Sequence, residues 1–98
     1  MPPRDHLKHA ATAILCANID FDDYMENSPN DSALLDAVLV ELRFARYHAN
    51  KLCSDTSADI CERVDTAIDL ICQHKREYDS DLLEEISDTL KHITGFLF

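Results

Sequence analysis

The near absence of glycine and proline constrains the fold of this chain more than any other feature. Gly95 is the single glycine in 98 residues, and the three prolines are Pro2, Pro3 and Pro29. Sheet proteins need turn-forming residues between many short strands, and this chain lacks them. Long stretches without glycine or proline favour helices instead. We therefore predict an all-α fold.

Composition predicts one folded domain, from residue 1 to residue 98. Apolar residues make up 46% of the chain and charged residues 29%, which is typical of a globular protein. No apolar run approaches the roughly 18 residues of a membrane-spanning helix. The formal net charge of −10 would be repelled by nucleic acid and by anionic membranes, so we expect neither as a direct partner.

The four cysteines would permit disulfides in a secreted protein. Export is not indicated, because the apolar run over residues 10–17 is short and no cleavage site follows it. We therefore expect a cytoplasmic protein whose thiols stay reduced and serve as small core residues. The cysteines are Cys16, Cys53, Cys61 and Cys72.

Apolar periodicity predicts helices over about 5–18, 33–53, 58–78 and 80–94. After Asn18 the chain becomes acidic, so we expect a frayed helix end or an anchored loop there, with continuation to Met25 as the alternative. The apolar pattern changes phase after Tyr78, which indicates a separate fourth helix rather than one bent helix. Gly95 is expected just after that helix ends. The predicted architecture is a small bundle of three or four antiparallel helices, with helices 2, 3 and 4 as its core.

The second helix carries more apolar surface than one core can use. Its main stripe contains Leu34, Val38 and Leu42, while Val40, Phe44 and Tyr47 form a second stripe at i, i+4 and i+7. Two alternatives follow for the second stripe. Either helix 1 or the acidic segment covers it, or the stripe binds a partner protein or a second copy of the chain. The terminal Phe-Leu-Phe segment has the same two alternatives, since it packs either on the core of its own bundle or on a partner protein. The predicted partner-binding residues are Val40, Arg43, Phe44, Tyr47, Phe96 and Phe98.

Catalytic, metal and cofactor sites are not indicated by the sequence. His6 and His9 are spaced i, i+3, which we interpret as an exposed helix start. No Cys-x-x-Cys pair is present, and the acidic run at Asp20 lacks the glycine and distal glutamate of a calcium loop. A single glycine offers no phosphate-binding loop. We expect a protein that is not an enzyme and has no cofactor.

The segment His48-Ala49-Asn50-Lys51 resembles the H-x-x-K of histidine phosphotransfer domains, which are acidic four-helix bundles of about this length. The resemblance implies an exposed imidazole nucleophile and a lysine one turn on that neutralises the phosphoryl group. Leu52 departs from the family, which has a small residue there, and the motif lies near a helix end.

The leading hypothesis is a protein-interaction module, expected as a homodimer, that inhibits or chaperones a partner with a basic or apolar groove. In size, charge and helicity the chain looks like small helical antiactivators, secretion chaperones and immunity or anti-defence proteins, without a shared motif. Phosphotransfer through His48 is the second hypothesis. The third is an acidic decoy of nucleic acid, which would use Asp20, Asp22, Asp23 and Glu26.

Overall fold

The computed structural model describes residues 3–27, 32–52 and 54–97, which form four α-helices. They are α1 (Pro3–Asn27), α2 (Ser32–Asn50), α3 (Asp55–Arg76) and α4 (Ser80–Leu97). Each helix packs against the next along the chain, and α1 closes the ring by packing against α4. His6 at the start of α1 meets His48 at the end of α2, so these two helices are antiparallel. The predicted all-α bundle is confirmed, with four helices among the described residues.

Helix α1 is longer and more central than the sequence suggested. Its 25 residues correspond to about 37 Å of helix, and they follow the 39 Å long axis of the bundle. The frayed end expected after Asn18 is wrong, because Phe21 and Tyr24 continue the buried stripe. Leu7, near the start of α1, is 43% exposed and does not belong to this stripe. The buried side chains of α1 are Ala10, Ala13, Ile14, Ala17, Phe21 and Tyr24.

The connection between α2 and α3 is short and well capped. Helix α2 ends at Asn50, before the expected residue 53, and Cys53 lies outside the described residues. Ser54 is the N-cap of α3, and its hydroxyl accepts a hydrogen bond from the Ser57 backbone N–H. The Ser57 hydroxyl in turn accepts from the Ser54 backbone N–H, which completes a capping box.

Helices α3 and α4 are separate, as the phase change in the apolar pattern predicted. Tyr78, the expected last residue of the third helix, lies between α3 and α4 and is 61% exposed. Gly95 does not terminate α4, which continues to Leu97, and the space around the glycine is open. A glycine in an exposed last turn is tolerated because no side chain is needed there for packing.

The core draws on all four helices, which corrects the expectation that only helices 2 to 4 build it. The largest fully buried side chains include Phe21 and Ile14 of α1 and Leu42 of α2. The buried Tyr24 hydroxyl lies 2.9 Å from His74 Nε2. Two ion pairs, Arg46–Asp65 and Lys75–Asp36, connect α2 with α3 at the surface.

The three cysteines among the described residues are free thiols. Cys16 is exposed, and Cys61 and Cys72 are half-buried. Among the described residues, no helix is both long and apolar enough to cross a membrane.

Candidate protein-binding groove

The second apolar stripe of α2 lies on the surface of the bundle. Val40 is 63% exposed, Phe44 49% and Tyr47 57%. Arg43, the predicted polar anchor, is also exposed. Helix α1 runs beside this stripe without covering it, so the alternative in which helix 1 buries the stripe is wrong.

Helix α1 contributes the other wall of an open groove of about 510 Å³. Ile19 is 65% exposed on this wall, beside the exposed Cys16. Sequence reasoning missed Ile19 because it favoured a helix end at residue 18, and it missed Cys16 because it treated the cysteines as small core residues. The i, i+3 spacing of Cys16 and Ile19 was the available signal, since it places them on one face of a longer helix. The lining residues are His9, Thr12, Ala13, Cys16, Ile19, Asp20, Val40, Glu41 and Phe44.

Two carboxyl groups interrupt this mainly apolar lining. Glu41 of α2 and Asp20 of α1 are both half-buried. Burial, followed by the hydrogen bond to Asp20 and its charge, raises the pKa of Glu41 to about 8. The Glu41 Oε2 atom is buried and has no hydrogen-bond partner among the described residues. Near neutral pH the pair therefore holds a proton that a cationic ligand could displace.

Three histidines, His6, His9 and His48, meet at one end of the groove, and we call them the histidine cluster. His6 Nδ1 and His48 Nδ1 are 2.8 Å apart, so one ring donates an N–H to the other. The His9 and His48 ring centroids are 4.9 Å apart. The interpretation of His6 and His9 as an exposed helix start holds for His9, which is exposed near the start of α1, but not for His6, which is half-buried. Both rings contact α2.

His48 is buried, with only 5% of its surface exposed. Burial first, and then the neighbouring His9 and His6, lower its pKa. Lys51, the lysine of the H-x-x-K segment, lies beyond the end of α2 with its Nζ 5.1 Å from the Tyr47 ring centroid. A phosphotransfer histidine must reach a donor domain, and this ring is covered, so the geometry does not favour that hypothesis.

The remaining predicted residues lie elsewhere. Phe96 of α4 is 38% exposed beneath the Arg63 guanidinium of α3, and it is not part of the groove. Phe98 lies outside the described residues. Asp22, Asp23 and Glu26 are exposed on the last turns of α1, whereas Asp20 turns toward the groove.

Comparisons with known proteins identify no relative. No family model, curated protein or solved structure matches the chain. Within residues 3–27, 32–52 and 54–97, no group of three histidine, cysteine or acidic side chains has a geometry that could hold a metal ion. The groove is therefore interpreted from its own chemistry.

Proposed function

We propose that this protein is a non-catalytic interaction module that binds an amphipathic, basic helix of another protein in the groove between α1 and α2. Covering such a helix would inhibit or chaperone the protein that carries it. The observation that supports the proposal is the exposed apolar surface that two adjacent helices share, with Ile19 on one wall and Val40 and Phe44 on the other.

The shape of the groove favours a helical ligand. Ile19, Val40 and Phe44 line the groove from two antiparallel helices rather than around a closed cavity. An amphipathic helix laid into such a groove contacts both walls with apolar residues spaced i, i+3, i+4 and i+7. Phe44, which lines the groove, is of the aromatic type that is enriched at protein interfaces. The exposed Tyr47 lies three residues further along α2, outside the lining.

Charge favours a basic partner over a second copy of this chain. The groove contains the Asp20–Glu41 pair, and the chain has a formal net charge of −10. A two-fold dimer through this face would bring the same acidic surface from each copy together, which costs free energy. A lysine or arginine of a partner would instead face carboxyl oxygens, one of which lacks a hydrogen bond among the described residues.

The experiment measures binding of a synthetic leucine–lysine amphipathic helix, about 18 residues or five turns long, by fluorescence anisotropy. We expect the wild-type protein to bind it and the Phe44→Asp variant to bind at least about tenfold more weakly. The added aspartate would strengthen purely electrostatic attraction, so a loss identifies apolar docking. Tyr78→Asp is the matched control, because Tyr78 is also an exposed aromatic residue, at 61% against 49% for Phe44, but lies outside the groove.

Two results would contradict the proposal. One is equal binding by Phe44→Asp and Tyr78→Asp, which would place the peptide elsewhere on the acidic surface. The other is a dimer in light scattering that Phe44→Asp converts to a monomer, which would assign the groove to self-association. A leucine–glutamate helix of the same length tests the charge preference and should bind more weakly than the lysine peptide.

A further inference from the structure

We propose that the histidine cluster is a pH-sensitive contact that releases the first turns of α1 from α2 on acidification and thereby loosens one end of the groove. The consequence for partner binding rests on the proposed function, whereas the release itself does not. The geometry that carries the inference is a set of three imidazoles from two helices. The buried ring of His48 has its centroid 5.1 Å from that of His6 and 4.9 Å from that of His9.

The contact between His6 and His48 has room for one proton between its facing nitrogens. In the neutral state one Nδ1–H donates to the bare Nδ1 of the other ring across 2.8 Å. A single added proton can be shared by the pair. A second puts an N–H on both facing nitrogens, and the hydrogen bond is then replaced by repulsion between two cations. His9 adds a third imidazole whose ring centroid lies 4.9 Å from that of His48.

The surroundings provide little compensation for this charge. From α1, His48 faces His9 and His6, which are flanked in sequence by Asp5 and Lys8. On its own helix it contacts Phe44 and Tyr47, and Lys51 lies over the Tyr47 ring. No hydrogen bond or ring contact links the cluster to the described residues of α3 or α4.

Phe44 connects the cluster with the groove. Its ring meets His48 edge-on with centroids 4.5 Å apart, and it meets His9 at 6.3 Å. His9 and Phe44 both line the groove, one from each helix. Separation of α1 from α2 at the cluster therefore removes the support behind Phe44 and moves the two walls apart.

The first test follows the free protein by NMR from about pH 8 to pH 5, across the usual histidine range. We expect His48 to protonate below the usual histidine pKa of about 6.5. Over the same interval, amide protection in the first turns of α1 should fall at least about tenfold after correction for intrinsic exchange, while amides near Leu90 in α4 keep theirs. Unchanged protection in α1 across this range overturns the proposal.

Variants assign the response to the cluster. His48→Phe keeps a ring of similar size without a titrating group, and we expect it to abolish the pH response of α1. His92→Gln is the matched control, because His92 is exposed on α4 and should leave the response intact. If His48→Phe fails to fold, His9→Gln tests the same point, since His9 is exposed and its loss should reduce the response. A response that persists fully in the cluster variant overturns the proposal.

The second test measures the affinity of the protein for the leucine–lysine probe at about pH 7.5 and at about pH 5.5. Histidine protonation changes most between these two values. We expect wild-type affinity to fall about tenfold on acidification and that of His48→Phe to stay constant. Equal losses in both proteins overturn the link to the groove. A probe that binds at neither pH, together with the α1 response in NMR, contradicts the proposed function and supports the cluster as a pH-sensitive contact.

Discussion

At the residue scale, Glu41 and His48 are two polar side chains of α2 that face α1. Burial moves their pKa values in opposite directions. The pKa of Glu41 rises to about 8, because burial and Asp20 both disfavour its carboxylate. The pKa of His48 falls, because burial and two neighbouring histidines disfavour its imidazolium. Each group stays neutral near pH 7, which is how both are accommodated between the helices.

Glu41 makes the protein less stable as the pH rises. The folded state holds a proton on Glu41 up to about pH 8, whereas the unfolded chain releases it near the usual glutamate value. We expect Glu41→Gln to change the free energy of unfolding little near pH 5 and to raise it by about 1–3 kcal/mol near pH 9. Urea unfolding followed by circular dichroism measures both values. Glu84→Gln, at an exposed site of α4, is the control, and an equal gain at both pH values would contradict the assignment.

His48 changes the stability of the protein with pH in the opposite direction. Its folded-state pKa lies below the unfolded value, so the unfolded chain binds a proton that the folded protein does not. Stability is therefore retained above about pH 6.5 and is lost as the pH falls below that value. The two dependences have opposite signs. Stability falls through Glu41 as the pH rises from the usual glutamate value to about 8, and it falls through His48 as the pH drops below about 6.5, so each dependence is assigned from its own variant.

At the element scale, the helix ends were decided by caps and by burial rather than by propensity. The Ser54 capping box begins α3 in the gap between the predicted second and third helices, at residues 54–57. The acidic run after Asn18 favours a loop when it is taken alone, although α1 continues through it. Phe21, 1% exposed, and Tyr24, 3% exposed, keep that segment helical because they fill the core between α1 and its neighbours.

The capping box gives a prediction for α3. Ser54→Ala removes the hydroxyl that accepts from the Ser57 N–H and should lower the free energy of unfolding by about 1 kcal/mol. Ser54→Gly should cost only a few tenths of a kcal/mol, because glycine leaves the backbone amides open to water. Thermal unfolding by circular dichroism compares the two variants. Equal losses would show that the serine side chain is not what stabilises this helix start.

At the scale of the whole molecule, all four helices share one core, so they should unfold together. Leu42 has no exposed surface and lies at the centre of α2. We expect Leu42→Ala to lower the free energy of unfolding by about 2–5 kcal/mol, which is a large part of the stability of a small domain. Val40→Ala, on the exposed side of the same helix, should stay within about 0.5 kcal/mol. Chemical unfolding monitored at several helices tests this, and separate transitions would contradict a single cooperative core.

The sequence by itself determined the helical class, the boundary before α3 and the surplus apolar stripe of α2, and it limited the bundle to three or four helices. These depend on local periodicity, on capping residues and on the near absence of glycine and proline, all of which are expressed within a few turns of the chain.

The tertiary structure decided which helices build the core, how far α1 extends, and what borders the stripe. Asp20 and Glu41, like His6 and His48, are far apart in sequence, and only the antiparallel packing of α1 on α2 brings them together. Burial, and with it the pKa of each group, depends on neighbours from other helices, which no local pattern specifies.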